Sequence, residues 1–163
     1  MQFMSDFFFP KIESVKALTK WNVRTVWSTG ETLDIDLSKL MKLKAFAEIR
    51  QAHIFKKVHL KHGHLEWFDT ELGADNVYAW GKEQSGEVSH EMFEVWMARN
   101  NLSLTTAATA LGVSRRMVSY YRTATKSIPR SIWLACLGWE ITKPNDTLPR
   151  TLPSVQEYAS FHA

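Results

Sequence analysis

The chain has 163 residues, 45% of them hydrophobic and 23% charged, with a formal net charge of +3. That is an ordinary globular profile, long enough for one full domain or two small ones. No stretch approaches the roughly 20 apolar residues of a membrane span. The single cysteine, Cys136, excludes an intrachain disulfide and a multi-cysteine zinc site, so a reducing, cytoplasmic setting is expected. The opening Met1–Pro10 carries Phe7-Phe8-Phe9 without a basic leader or a small-residue cleavage site, and reads as a strand or packed arm rather than a signal peptide.

From Ser14 to about Phe68 the pattern is strand-like. Val23-Arg24-Thr25-Val26-Trp27 is β-branched and aromatic, Ser28–Glu31 is a turn, and Leu33-Asp34-Ile35-Asp36-Leu37 alternates apolar with acid. Asp34 and Asp36 are therefore outward residues of a half-buried strand. Leu40–Gln51 reads as a turn or short helix. Phe55–Leu60 and Leu65–Phe68 read as a hairpin closed near His62-Gly63-His64. Asp75 is placed to cap a short helix through Trp80. Residues 1–82 thus read as a small α+β domain with about five strands in a small mixed sheet.

At Gly81–Glu87 two glycines lie among polar residues, and the period becomes helical beyond them. We take 83–88 as a linker, 89–143 as an all-α domain, and 144–163 as an extended tail, because Pro144, Pro149 and Pro153 exclude a continuous helix there. Ser89 is the expected cap of a helix through about Asn100 that buries Met92, Phe93, Val95, Trp96 and Met97. Ser103 or Thr105 begins a second helix to Leu111, Gly112-Val113 ends it, and Ser114 caps a third to about Thr123. Pro129 suits the first turn of a fourth helix, with Ile132, Leu134, Ala135, Leu137 and Gly138 for packing.

Leu104–Thr123 meets the physical demands of a helix-turn-helix. Ala108 is small where two helices must cross, Gly112 accepts positive φ in the turn, and Val113, Val118 and Tyr121 anchor the next helix from behind. The outer face then carries Ser114, Arg115, Arg116, Ser119, Tyr120 and Thr123. Charge agrees: from Val95 to Trp139 there is no Asp or Glu, while Arg99, Arg115, Arg116, Arg122, Lys126 and Arg130 lie in that window. Such asymmetry is expected of a domain that meets phosphate.

These residues resemble the helix-turn-helix of the phage-repressor-like (lambda repressor/Cro-like) DNA-binding domains, and the likeness runs over about Ser89–Glu140. The resemblance implies a lambda repressor-like fold whose third helix reads bases in the major groove through Arg115, Arg116, Ser119 and Tyr120. Ser114 and Thr123 would then lie near the DNA backbone, with Arg122, Lys126, Arg130 and the hydroxyls of Thr105 and Thr106 as further phosphate contacts. Where many members have a phosphate-contacting glutamine at the start of the second helix, this chain has Leu104-Thr105-Thr106. The segment from about Ser14 to Trp80, with its Trp-Phe-Asp turn near Asp69, resembles the small bacterial DUF2442 family of unknown function, and the whole chain resembles bacterial proteins that join the two domains. That resemblance also implies an alternative, an antitoxin-like module whose first domain binds a small toxin-like protein partner.

The expected partner is double-stranded DNA, bound as a homodimer on two half-sites about one helical turn apart. His53, His59, His62 and His64 lack an acidic or sulfur ligand at zinc spacing, so no metal is expected. No cofactor or enzymatic activity is expected either, since the chain has no glycine-rich phosphate loop and no nucleophile elbow. Cys136 reads as a buried structural thiol.

Overall fold

The computed structural model describes residues 9–142; the expectations for Met1–Phe8 and for the tail after Lys143 lie outside the described residues. The first half holds two three-stranded sheets, β1 (Ile12–Ala17), β2 (Asn22–Trp27) and β3 (Thr32–Asp36), then β4 (His59–Lys61), β5 (His64–Trp67) and β6 (Thr70–Leu72). Both are antiparallel throughout. This corrects the expected mixed sheet: each link within a sheet is a short turn, which leaves no room for the crossover that parallel strands need. The sixth strand escaped the sequence because Thr70–Leu72 is too short to show alternation.

Alternation sets the burial of β3. Leu33, Ile35 and Leu37 are buried while Asp34 and Asp36 are exposed, and Asp34 receives both Nε and Nη2 of Arg24 at 2.7 Å across the strand pair. At the β4–β5 turn His62 and Gly63 have φ of 51° and 83°, the pair of positive values a type I′ hairpin demands. Three 3-10 turns, Leu40–Lys42, Lys44–Phe46 and Glu48–Arg50, then a single helical turn α1 (Ala52–Phe55), join the sheets. Phe55 was expected to begin a strand. Instead its buried ring stacks on Trp67, whose indole N–H donates to the Phe55 carbonyl at 2.8 Å.

Helix α2 (Ala74–Gln84) is capped at Gly73 rather than Asp75, and it continues well past Trp80. Gly81, which the sequence placed in a loop, lies inside it. A Cβ at that position would stand 2.8 Å from Leu33 Cδ1, so the missing side chain is what lets α2 lie flat on β3. The turn proper is Ser85–Glu87, tightened by Gly86 N–H to Glu83 carbonyl at 3.0 Å.

The second half is helical: α3 (His90–Arg99), α4 (Leu104–Leu111), α5 (Arg115–Arg122) and α6 (Arg130–Thr142). Its core is Phe93, Trp96, Met97, Ala107, Ala108, Val118, Tyr121, Ile128, Cys136 and Trp139. The Trp96 indole donates to the Cys136 carbonyl at 2.9 Å and meets Trp139 edge-on at 5.7 Å, which fastens α3 to α6. Four residues expected to pack do not: Val95 and Leu134 are 55% exposed, Leu137 is 38% exposed, and Ala135 is exposed as well. The inward stripe of α6 is instead Ile132, Cys136 and Trp139, at i, i+4 and i+7.

The halves meet along a seam. Lys82, 3% exposed, pairs with Glu31 at 2.6 Å and with Glu87, while the Tyr78 hydroxyl donates to Glu31 at 2.6 Å. Burial alone would lower the pKa of Lys82, but the two carboxylates outweigh it and raise it. Beside them the His90 ring meets Phe9 at 4.8 Å and Tyr78 at 6.4 Å. Ser89, the cap of α3, donates to Glu83 of α2 at 2.5 Å.

Burial holds the His90 imidazole below its ordinary pKa of 6.5, against the pull of Asp75, Glu94 and Glu83, and its Nδ1 has no hydrogen-bond partner among the described residues. The folded state therefore favours neutral His90. Its contribution to stability is complete above the unfolded pKa of 6.5 and is lost as pH falls below that value. Urea midpoints between about pH 7.5 and 5 should fall with acidification. His90→Phe, which keeps the aromatic contacts, should flatten that slope; an unchanged slope would remove His90 as its source.

Candidate nucleic-acid interface

The geometry of α4 and α5 follows from their ends. Ser103 caps α4 by accepting from Thr106 N–H at 3.1 Å, and the Thr106 hydroxyl reciprocates by accepting from Ser103 N–H at 2.8 Å. This is a capping box in which threonine stands in for the usual glutamate. At the other end Gly112 adopts φ 67°, ψ 30°. The Val113 N–H then reaches the Ala108 carbonyl at 3.0 Å and the Gly112 N–H the Thr109 carbonyl at 3.4 Å, the two bonds of a Schellman turn. Ser114 at once caps α5 through Met117 N–H at 3.2 Å. Three residues, Gly112 to Ser114, thus close one helix and open the next without slack.

Helix α5 divides cleanly. Val118 and Tyr121 are buried, with Tyr121 edge-on to Phe93 at 5.6 Å. Arg115 and Arg116 are exposed at its first turn, and Ser119 and Tyr120 are half-buried on the following one. The four expected base-reading residues therefore occupy the part of α5 that faces away from the core. Arg116 Nε donates to the Tyr120 hydroxyl at 2.5 Å and its guanidinium lies 5.3 Å from that ring; Lys126 Nζ approaches the same ring at 5.4 Å. Two cations share one tyrosine. No spacing rule in the sequence announced that stack, because Lys126 arrives from the loop after α5.

The expected backbone contacts fare differently. Thr105 is exposed at the first turn of α4, Ser114 is exposed at the cap of α5, and Lys126 and Arg130 are exposed beside them. The Thr106 hydroxyl serves the capping box, and the Thr123 hydroxyl donates to the Ser119 carbonyl at 2.9 Å. Arg122 donates to Glu94 of α3 at 2.5 Å and is half-buried, so its charge is matched within the fold. At the other end Glu140 of α6 pairs with Arg99 at 3.1 Å. The two acids that flank the acid-free window are thereby each held by an arginine. Arg115, Arg116, Lys126 and Arg130 lie on or beside the exposed face of α5. Cys136 is fully buried, and burial pushes its thiol up to about 12, which suits packing and not reactivity.

Residues 12–83 match the family model described as protein of unknown function (DUF2442). The crystal structure of the "Putative DNA Binding Protein NE0471" from Nitrosomonas europaea superposes with a TM-score of 0.81 at 62% sequence identity, over 93% of this chain and 100% of that one. This chain belongs to that protein's family. Its first half is a DUF2442 domain. No curated protein matches.

The tight turn supplies a paired stability test. Gly112→Ala meets open space but imposes positive φ on a residue with a Cβ, and should cost about 1–2 kcal/mol. Gly138→Ala, also in open space but within α6, should gain about 0.5–1 kcal/mol from helix propensity. Opposite signs in urea denaturation are expected; equal effects would show that backbone conformation does not control the α4–α5 turn.

Proposed function

We propose that the protein is a sequence-specific DNA-binding regulator whose second half is a lambda repressor-like helix-turn-helix domain, with α5 as the recognition helix in the major groove. The observation that carries this reading is the α5 surface. A short helix, fixed at its N-terminus by the Gly112–Ser114 turn, presents Arg115, Arg116, Ser119 and Tyr120 together, while the flanking acids are paired elsewhere. Arginines at the first turn oppose the helix macrodipole, a local cost that phosphate or guanine would relieve. The description of the Nitrosomonas relative as a putative DNA binding protein supports the same reading.

Roles follow from geometry. Among the described residues Arg115 has no aromatic neighbour of the kind that holds Arg116, and we assign it the contact with a base edge. Arg116 and Lys126 present a doubly cationic Tyr120 to the groove wall. Thr105, Ser114 and Arg130 meet phosphate, while Arg122, tied to Glu94, positions α5 from behind. One domain of this size binds weakly alone, so we place two copies on an inverted repeat. The stripe Leu134, Leu137 and Ile141, exposed on α6, is where we put their contact.

Selection of bound duplexes from a random library should enrich an inverted repeat with half-sites about one turn apart. Arg115→Ala should cost about 1–3 kcal/mol and relax preference at one position of each half-site, whereas Lys126→Ala should weaken all sequences alike and reduce the salt slope by about 1. An unaltered selected sequence for Arg115→Ala would sink the assignment of α5.

A further inference from the structure

The first half holds a cleft of about 410 Å³ between the β1–β2 turn and α1. Leu18, Trp21, Ala52 and Phe55 give it apolar and aromatic walls, and Lys20 and Lys56, both exposed, supply its charge; among the described residues no carboxylate lines it. Its size falls in the range that encloses small organic ligands, at the small end.

The turn that forms one wall is held in an uncommon conformation. Lys20 and Trp21 have φ of 52° and 64°, consecutive non-glycine residues in the left-handed region. Asn22 fixes them there: its side-chain amide donates to the carbonyls of Thr19 at 3.2 Å and Lys20 at 3.0 Å, while its own carbonyl accepts from Leu18 N–H at 2.7 Å. The Trp21 carbonyl accepts from Leu37 N–H at 2.9 Å, so the turn is also pinned to the end of β3. Trp21 is thereby set edge-on to Phe55, with centroids 5.3 Å apart at 85°. The φ pair is that of a type I′ hairpin turn closed by Asn22 N–H to the Thr19 carbonyl at 3.3 Å, so this wall of the cleft is a fixed part of the sheet.

We propose that this cleft binds a small aromatic carboxylate, its ring against Leu18, Trp21 and Ala52 over the buried Phe55, and its carboxylate paired with Lys20 and Lys56. A body of one or two rings suits the volume and the walls. Lysines are flexible point charges, enough for one carboxylate. A planar two-pronged phosphate contact would call for an arginine fork, and no arginine lines the cleft among the described residues. The inference stands apart from DNA binding and is read without DNA.

The test is titration of the full chain with 2-naphthoate and, separately, with the neutral 2-naphthalenemethanol, followed by tryptophan fluorescence and calorimetry. Saturable naphthoate binding with Kd below about 1 mM, at least about tenfold tighter than the alcohol, is expected. Lys20→Gln combined with Lys56→Gln, at two exposed positions, should erase that preference. Ala52→Trp, which fills the cleft, should abolish binding of both probes at an unchanged melting temperature. The proposal is overturned by the absence of saturable binding at about 5 mM, by equal affinity for the two probes, or by a preference that survives the lysine replacements. Binding confined to a peptide that joins an aromatic residue to acidic ones would also overturn it, in favour of a protein partner.

Discussion

The ammonium of Lys82 sits where the two halves of the chain meet, and the relation between them depends on how its burial is tolerated. An unpaired charge in that position would cost several kcal/mol. Two carboxylates prevent this from different directions: Glu31 at the end of the β2–β3 hairpin, and Glu87 in the turn that leaves α2. Glu31 is in turn held by Tyr78 and Thr29, and these bonds with Lys82 keep its pKa low despite burial. The chain leaving α2 is thus tied back onto the first sheet before it enters α3. The Ser89–Glu83 bond, the Val88–Ile128 bridge and the Phe9, Tyr78 and His90 rings continue the attachment as far as the loop after α5. A change in the first half has a packed route to the α5 region through this seam.

Local signals carried most of the elements that position α5. Ser89, Ser103 and Ser114 each precede a helix and each caps it; Gly112 ends α4 with positive φ as its place in the sequence required. β3 was legible because one of its faces is buried and the other solvated. What stayed hidden was non-local. Gly81 looked like a linker residue because nothing in its neighbourhood reveals that Leu33, 48 positions earlier, presses against it. Phe55 looked like strand because aromatic residues favour sheets, yet Trp67 holds it at the end of a helical turn. Val95, Leu134 and Leu137 failed for another reason: in short helices with apolar residues on more than one face, hydrophobicity alone does not fix the phase.

The same distinction runs through the interface. The split of α5 into an anchored and an outward face was readable, since Val118 and Tyr121 are the residues at helical spacing that bury, leaving Arg115 and Arg116 outside. Arg122 could not be separated from them by sequence. Its partner Glu94 lies 28 positions away on another helix, and only the packing of α3 on α5 brings the two together. Thr106 likewise reads as a surface hydroxyl until the box with Ser103 is seen. The cleft near Trp21 had no linear signature, because its walls come from two segments separated by the second strand, the third strand and three 3-10 turns.

Charge placement gives the α5 surface its character more than charge number does. The whole chain carries only +3, and a uniform distribution of that excess would attract phosphate weakly. Here the two acids that border the acid-free window, Glu94 and Glu140, are neutralised by Arg122 and Arg99, on the flanks of the bundle. Arg115 and Arg116 are left at the N-terminus of α5, where the helix dipole repels them, and Tyr120 holds Arg116 and Lys126 close to each other. The two arginines stand at the positive end of α5, a placement that the helix dipole does not favour. The fold bears that cost because the serine caps, the Schellman turn and the Trp96–Cys136 bond hold the backbone beneath it. An anion laid along this face would be bound by charges already in position, with little left to reorganise on binding.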